Sequence, residues 1–531
     1  MSAALAATDA AWQPRGNRWL IAVVVTLAAF MEVLDTTIVN VSLPHIAGSL
    51  SVSYDDATWT LTSYLVANGI VLPISGWLGR LLGRKRYFLI CIAMFTVCSF
   101  LCGIADSLGQ MVVFRLLQGF FGGGLQPNQQ SIILDTFPPA QRGRAFAVVA
   151  LATIVAPVIG PTLGGWITDS YSWRWVFLIN IPVGVLAFFA VTALVEDPPW
   201  VVRASQGRQH TDYIGLGLIA LGLGAMQLML DRGEDQDWFS SGFVLGCAIL
   251  AGVGLSTAIA WLLYTDRPMV NLRVFKDRNF AIGAVMIFGV GAVLYSSAVL
   301  IPQLAQETLG YTALLAGLLL SPGALMIIFL IPLVGKFLMP NVQTRLIIAF
   351  GFASLGVALD VASRVLTPDV DFVTLALLRA GQTFGLAFLF VPISTIAYST
   401  MPKELNGDAS ALFVMFRNIG GSIGISLAAA MVTQRTQVRR AYLSEHLTPL
   451  NQPYDAKLAQ LAQSIRDLGV APGDVHARAL GQMNAMLSHQ ANLQAYLDVF
   501  AMCAFGAACM VPLAFLFRAS KAGGGKPGPT H

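Results

Sequence analysis

The sequence is poor in charged residues: Asp, Glu, Lys and Arg make up 11% of its 531 residues, whereas hydrophobic residues make up 56%. A water-soluble chain of this length would expose more charge, so the composition excludes a soluble protein. The net formal charge is only +4, and the basic residues are spread over many loops. They form no basic patch, so nucleic acid is not an expected partner. The expected surroundings are a lipid bilayer.

Cysteine pairs and nucleotide-binding motifs are also lacking. The sequence predicts neither a disulfide framework nor a zinc site, because all of its cysteines lie in apolar runs. They are Cys91, Cys98, Cys102, Cys247, Cys503 and Cys509. The stretch GRLLGRK at 79–85 departs from the phosphate-binding pattern GxxxxGK[ST]. No metal, no cofactor and no enzymatic activity are therefore expected.

Long apolar runs are present instead. They predict about 14 helices that cross a ~30 Å hydrocarbon core, and so an all-α polytopic membrane protein. The runs centre near residues 30, 68, 95, 122, 156, 185, 221, 252, 290, 323, 354, 386, 420 and 504. Lys and Arg concentrate in alternate loops such as 80–86, while the short loops between them hold only Arg174, Arg232 and Arg364. Because cytoplasmic loops are rich in Lys and Arg, both termini are expected to be cytoplasmic.

An internal repeat relates the two ends of the chain. FRLLQG around Arg115 matches LRAGQT around Arg379, and FPPAQRGRA from Phe137 matches MPKELNGDA from Met401, both at an offset of 264 residues. Two six-helix halves need an offset of only ~200 residues, so two further helices are expected between them. We predict an N-terminal six-helix bundle at 1–200, two inserted helices at 201–270, and a C-terminal six-helix bundle at 271–531 that includes an outer loop at 434–490.

Several motifs occur in an order typical of one transporter family. The chain resembles the 14-helix drug:proton antiporters of the EmrB/QacA type in the major facilitator superfamily. The motifs are LDTTIVNVSLP (34–44), GWLGRLLGRKR (76–86), FRLLQGFFGGG (114–124), APVIGPTLGG (156–165) and WRWVFLINIPVG (173–184). One departure is Arg80, where the family usually has Asp, and a second is Leu81, where it usually has Arg. A gating ion pair at this position is therefore open to question.

The resemblance implies a major facilitator fold and a function. The expected protein is a proton-coupled multidrug antiporter of the bacterial inner membrane, which exports amphipathic or cationic organic compounds by alternating access. A periplasmic adaptor protein and an outer-membrane channel are the implied partners. A proton-coupled uptake carrier of the same fold is an alternative, and so is a membrane receptor or scaffold that transports nothing. The antiporter motif and the acids of the first span favour export.

Two carboxylates occupy the first apolar run. Glu32 and Asp35 are three residues apart, so they share one helical face with Thr36 and Asn40. Each charge costs at least ~2.5 kcal/mol at the bilayer centre, and two neighbouring negative charges repel each other, so protonation of at least one is favoured. Asp35, Glu32 and Arg115, which is an intramembrane cation, are the expected proton-coupling residues. A static hydrogen-bonded pair is the alternative.

Further polar residues within the spans are candidates for a central substrate site. Arg115, Gln118, Gln126 and Gln129 recur at helical spacing, and Arg379 with Gln382 repeats that pattern in the second half. The candidate substrate-binding residues are Asn40, Tyr64, Asn68, Gln118, Gln126, Gln129, Tyr295, Gln303, Arg379 and Gln382. Satisfied packing residues are the alternative for Tyr64, Asn68, Tyr295 and Gln303.

A third group of residues is expected to permit movement between the two halves. Prolines and glycines in the fifth span should produce a bent helix that packs closely against the opposite half. Ordinary packing of small residues is the alternative. The expected conformational residues are Gly76, Gly83, Arg84, Pro157, Gly160, Pro161, Gly164 and Gly165.

The outer loop at 434–490 contains one amphipathic segment. Leu458, Leu461, Ile465 and Leu468 follow helical spacing, and Gly469 is placed to end the helix. An apolar stripe of this kind predicts docking, either onto the chain itself or onto a partner. A solvated spacer is the alternative.

Overall fold

A computed structural model describes residues 12–206, 211–266, 268–445, 447–448 and 452–518. Within these ranges the chain is helical and contains no β-strand. Twelve helices are long and apolar enough to cross a membrane, or thirteen when one bent helix is included. This confirms the predicted all-α polytopic class.

The first half of the chain consists of helices that correspond to the first six predicted spans. They are α1 (Arg18–Leu50), α2 (Tyr54–Ala57), α3 (Trp59–Leu82), α4 (Arg84–Gly103), α5 (Leu108–Gly122), α6 (Leu125–Thr136), α7 (Pro139–Ser170), α8 (Trp175–Leu178) and α9 (Asn180–Leu194). Polar caps define several of their ends. Asn17 accepts a hydrogen bond from the backbone N–H of Trp19 at 2.9 Å, and Ser107 accepts one from Gln110.

The remaining helices form the inserted segment and the second half. They are α10 (Pro199–Gln206), α11 (Tyr213–Arg232), α12 (Gly242–Tyr264), α13 (Arg278–Gln303), α14 (Ala313–Leu318), α15 (Ser321–Leu333), α16 (Met339–Asn341), α17 (Thr344–Val365), α18 (Phe372–Ala387), α19 (Phe390–Ala397), α20 (Asn406–Ser444), α21 (Gln452–Asp467) and α22 (Pro472–Ala514). Short 3-10 segments occupy Trp238–Ser240, Leu272–Lys276 and Lys403–Leu405, and π-helical turns occupy Leu304–Thr308 and Val334–Leu338. Asp371 caps α18, and its hydrogen bonds from Thr374 lower the pKa of the Asp371 carboxyl.

Among the described residues, the predicted span near residue 122 is absent from the helices that are long and apolar enough to cross a membrane. It is divided into α5 and α6 by a break at Gly123 and Gly124. Its inward face is rich in Arg, Gln and Asn, which lowers its hydropathy below that of the other spans. The count of 14 and the cytoplasmic location of both termini therefore stay predictions, as do the domain boundaries at residues 200 and 270.

Helix α7 bends by 42° between Pro157 and Ile159, as its prolines lead one to expect. The partner of its glycine face differs from the prediction. A side chain on Gly160 would collide with Thr37, and one on Gly164 would lie 2.9 Å from the carbonyl oxygen of Ile38. These glycines therefore pack against α1 of the same half. The surface of α7 that faces the second half includes Thr162, which lies against Gly317 of α14, and Gly143, which adjoins Met339.

The two inserted helices connect both halves. Helices α11 and α12 pack along each other, and a Cβ atom on Gly222 would lie 2.8 Å from the backbone nitrogen of Leu255. Toward the first half, Thr62 of α3 donates a hydrogen bond to Asp231 of α11. Toward the second half, Ser426 of α20 donates one to the carbonyl oxygen of Leu230 at 2.7 Å. The insertion is thus held by hydrogen bonds to both halves.

The halves meet closely at the end of the bundle that carries Arg80 and Arg142, called here the basic-loop end. Gly76 of α3 lies so near α20 that a Cβ atom would be 2.8 Å from the carbonyl oxygen of Gly407. Arg80 forms an ion pair across the halves with Asp408. Arg142 also donates a hydrogen bond across the halves, to the carbonyl oxygen of Tyr398 at 3.3 Å. This end of the bundle is closed.

The predicted outer loop is largely a helical stalk, defined as residues 434–445, 447–448 and 452–490. Helices α20 and α22 contain 39 and 43 residues, or about 58 Å and about 64 Å of helix, roughly twice the thickness of a hydrocarbon core. Leu461 and Ile465 of α21 pack against Val475 and Met483 of α22. Most of the apolar stripe thus docks onto its own chain, whereas Leu468 at its end is exposed. Gly469 ends the segment at φ +79°, as predicted.

The Arg80–Asp408 pair generates a prediction about the closed end. Arg80→Asp places two carboxylates opposite each other and should weaken closure by on the order of 2 kcal/mol, because Asp408 is buried. Spin labels at the exposed positions 86 and 404 would report this as a longer and broader distance distribution. The reversed pair Arg80→Asp/Asp408→Arg should restore the shorter distance. An unchanged distribution in the single variant would show that the ion pair does not hold this end closed.

Candidate functional site

Asp35 of α1 is the acceptor of a buried, charged hydrogen-bond cluster. Its Oδ2 atom accepts a hydrogen bond from Arg115 Nη1 of α5 at 2.6 Å, and both side chains are fully buried. Its Oδ1 atom accepts from Gln118 Nε2 at 3.1 Å and from Asn180 Nδ2 of α9 at 2.8 Å. Arg115 also donates to the carbonyl oxygen of Thr60 at 3.0 Å. An ionised Asp35 is thus compensated by one cation and two amides.

Glu32 lies one turn earlier on α1 and has neutral partners. Its Oε1 atom accepts hydrogen bonds from the Tyr64 hydroxyl and from Asn68 Nδ2, both at 3.1 Å. Its Oε2 atom accepts one from Gln126 of α6. In the part of the chain that the structure describes, no cation forms an ion pair with Glu32. The two neighbouring acids are therefore in different electrostatic surroundings.

A hydrogen-bond chain leads from Glu32 into the second half. Gln126 donates to Glu32 through its nitrogen and accepts a hydrogen bond from Arg417 of α20 through its oxygen. Arg417 is itself buried and also donates to Asn418 at 3.1 Å. We call the chain Glu32–Gln126–Arg417 the inter-half relay. The relay thus connects the Glu32 carboxylate of the first half to the Arg417 guanidinium of the second half.

Tyr64 connects the two acidic clusters. Its hydroxyl bonds to Glu32, while the guanidinium carbon of Arg115 lies 4.3 Å from the centre of its ring. A cation above an aromatic face is stabilised by the ring. Tyr64 therefore lies between Glu32 and the Asp35–Arg115 pair, so a change in the charge of Glu32 alters the electrostatic surroundings of that pair.

The other predicted substrate residues are dispersed. Asn40 is exposed, whereas both acids are buried. Gln129 donates to Thr26 at 2.9 Å, and Gln303 donates to Glu307 at 3.0 Å. Tyr295 is half-buried, and its ring lies against Gly421. The structure thus gathers Tyr64, Asn68, Gln118 and Gln126 around the acids and leaves Asn40, Gln129, Tyr295 and Gln303 outside that cluster.

Arg379 and Gln382 form a separate cluster in the second half. Both residues are buried on α18, and Arg379 Nη1 donates to Ser297 of α13 at 2.8 Å and to Gln382 Oε1 at 3.3 Å. No carboxylate among the described residues pairs with Arg379. The cluster is therefore a buried cation with neutral partners.

The conformational motif between α3 and α4 is held by polar contacts of its own. Gly83 adopts φ +83° at the junction, a conformation that favours glycine. Arg84 forms a buried ion pair with Asp135 and donates to the carbonyl oxygen of Ser131 at 3.0 Å. Asp197 accepts a hydrogen bond from the backbone N–H of Lys85 at 2.8 Å. Burial raises the pKa of the Asp197 carboxyl, against a smaller lowering by that N–H.

Three residues of the charge network were missed by sequence reasoning. Arg417 carries the same signal as Arg115, since it is an arginine inside an apolar run, yet it received no role. Asn180 belongs to the motif that ends in INIPVG, and Asp408 belongs to the repeated NGDA segment. The position of Asn180 and Asp408 within these motifs was the only sequence signal of a role. Their hydrogen-bond and ion-pair partners, Asp35 and Arg80, lie far away in the sequence.

Two repeated helical bundles with buried intramembrane charges define a multi-pass membrane transporter. The chain belongs to the Major Facilitator Superfamily, whose sequence pattern matches residues 25–425. The Multidrug export protein EmrB of Escherichia coli K12 is 38% identical over 442 residues, which cover 83% of this chain and 85% of the relative. The Fatty acid resistance protein FarB of Neisseria gonorrhoeae is 36% identical over 493 residues, with coverages of 93% and 94%. The family expected from the motifs is confirmed.

Solved structures agree with the fold. The proton:xylose symporter XylE superposes with a TM-score of 0.58 at 14% identity, over 92% of this chain and 94% of that chain. A peptide transporter of the POT family superposes with the same TM-score at 17% identity, over 96% and 99%. At these identities the likeness concerns the major facilitator fold alone.

The Asp35–Arg115 pair yields a stability prediction. Asp35→Asn leaves the buried Arg115 guanidinium without a negative partner, which should cost ~3–5 kcal/mol and lower the thermal unfolding midpoint in detergent. The double variant Asp35→Asn/Arg115→Gln should recover part of the loss. Asp360→Asn, which removes the exposed pair with Arg364, is the control and should change the midpoint little. Equal midpoints for Asp35→Asn and this control would contradict the assignment.

Proposed function

We propose that this transporter is a proton-coupled multidrug exporter of the bacterial inner membrane, which carries amphipathic or cationic organic compounds outward. The observation that carries the proposal is the inter-half relay, because a titratable carboxylate on one half hydrogen-bonds through Gln126 to a cation on the other. The printed names of the relatives, which include multidrug export, support the direction of transport.

In the proposed mechanism, the charge state of Glu32 controls the contact between the halves. A deprotonated Glu32 attracts the amide of Gln126 and, through it, Arg417. A proton on Glu32 removes that negative charge and leaves Arg417 uncompensated in a dry interior, which favours separation of the relay. A cationic cargo at Glu32 neutralises the same charge, so proton and cargo compete for one site. Alternating access then couples inward proton movement to outward cargo movement.

Asp35 has a different part in this mechanism. It shares its negative charge with Arg115, Gln118 and Asn180, all on its own half. This arrangement supports a role in holding α1, α5 and α9 together and in setting the field at Glu32 through Tyr64. Asp35, Glu32 and Arg115 remain the proposed coupling group, with Glu32 as the member that connects the two halves.

Inside-out vesicles test the export function against its alternatives. With a proton gradient, an exporter accumulates a cationic dye such as ethidium in the vesicle lumen. A proton-coupled uptake carrier of the same fold would not accumulate it, and a receptor or scaffold would produce no flux. Absence of gradient-driven accumulation for a broad panel of cationic and neutral amphipathic compounds would contradict the proposal.

Glu32→Gln should uncouple transport from protons. The amide keeps the size of the side chain but cannot change its charge, so gradient-driven dye accumulation should fall about tenfold or more and lose its pH dependence. Exchange of dye down its own gradient should continue. Glu404→Gln, at an exposed position, is the matched control. If Glu32→Gln kept both the accumulation and the pH profile, the coupling site would lie elsewhere.

The helical stalk is the proposed contact for a periplasmic adaptor protein, which would lead to an outer-membrane channel. Leu458, Leu461 and Ile465 of the apolar stripe pack against α22, so a partner would use the outer surface, where the remaining stripe residue, Leu468, is 81% exposed. Leu468→Glu should lower drug resistance of cells but leave flux in vesicles unchanged. Leu461→Asp, in the interior of the stalk, should instead lower its thermal stability. Unchanged resistance in Leu468→Glu would argue against docking at this position.

A further inference from the structure

The two halves contain related arginine clusters that differ in one respect. Arg379 and Gln382 lie 264 residues after Arg115 and Gln118 and occupy matching places in the repeat. In each half, Nη1 of the arginine donates to Oε1 of the glutamine, at 2.7 Å in the first half and 3.3 Å in the second. The same Nη1 atom also donates to a side chain of the first long helix of that half.

The side chain on this first helix is Asp35 in the first half and Ser297 in the second. The second cluster therefore lacks a carboxylate. Consistent with this difference, Gln118 Nε2 donates to Asp35, whereas the buried Gln382 Nε2 has no hydrogen-bond partner among the residues that the structure describes. Arg379 Nε, which is also buried, has none either.

A guanidinium with no opposite charge, whose Nε–H and neighbouring Gln382 amide both lack an acceptor, is unfavourable in a dry interior. Burial of a charge is tolerated when an opposite charge and hydrogen bonds compensate it. In the first half a carboxylate fulfils both requirements, since it receives the guanidinium and the amide together. The second half offers the same pair of donors with a neutral hydroxyl in place of the acid.

We propose that Arg379, Gln382 and Ser297 form a binding subsite for the carboxylate of an amphipathic organic anion. The ligand carboxylate takes the part that Asp35 has in the first half, with charge-assisted hydrogen bonds from the guanidinium and a further bond from Gln382 Nε2. Identification of the ligand as cargo rests on the proposed export function, whereas the binding itself does not.

Equilibrium binding to the full chain in lipid nanodiscs, at fixed pH and without a gradient, tests the subsite. The probes are 1-naphthylacetate and the (1-naphthylmethyl)trimethylammonium ion, which share an aromatic group and differ in charge. Arg379→Gln should weaken binding of the anion about tenfold or more and change binding of the cation less than about twofold. Anion binding of unchanged affinity in this variant would overturn the proposal.

Ser297→Asp provides an independent test because it supplies the carboxylate internally. It should stabilise the fold around Arg379 and weaken binding of 1-naphthylacetate about tenfold, while Ser297→Asn, of equal size but neutral, should have a much smaller effect. Equal weakening by both substitutions would contradict a charge-based site. If chloride, added as the sodium salt, bound at Arg379 but naphthylacetate did not compete with it, the site would be one for an inorganic ion and the proposal would be wrong. A failure of dye export in vesicles would leave these binding results intact.

Discussion

Compensation of buried charge is the constraint on which the arrangement of this bundle depends. Glu32, Asp35, Arg115 and Arg417 are all removed from water, so each must find its partners within the protein. Asp35 fixes the relative positions of α1, α5 and α9, because its donors come from the other two helices. Glu32 does the same for α1, α3 and α6. The helices that carry the charges are therefore held in register by polar contacts, within a bundle whose other contacts are largely apolar.

The same constraint links the halves. At the basic-loop end, Arg80 and Asp408 bring opposite charges together across the interface, beside the close backbone approach of Gly76 to Gly407. Deeper in the bundle, the inter-half relay makes a second polar connection, and this one contains a carboxylate that can be neutralised. Opening and closing of such an interface requires that these charges exchange partners, since none can be left unpaired at low cost. We propose that a proton or a charged cargo fills that role.

Helical periodicity predicted a good part of this site. Glu32 and Asp35 on one face, Arg115 and Gln118 on another, and their repeat at Arg379 and Gln382 all follow from spacing along single helices. Contacts between helices distant in sequence did not follow from it. Three features depend on how separate helices approach each other. They are the Arg80–Asp408 ion pair, the packing of Gly160 and Gly164 on α1, and the docking of the amphipathic stripe on α22. The sequence placed Arg417 inside an apolar run, but only the fold brings it to Gln126.

The central claim is that protonation of Glu32 governs the contact between the halves. Infrared difference spectroscopy of the protein in lipid measures this protonation directly. A protonated Glu32 gives a carboxyl C=O stretching band that the Glu32→Gln variant lacks, so subtraction of the two spectra assigns the band to Glu32. The same pH titration is followed by the separation of labels placed on the two halves. The Glu32 band and the separation are expected to change at the same pH. A separation that changes while the Glu32 band stays constant would contradict the central claim.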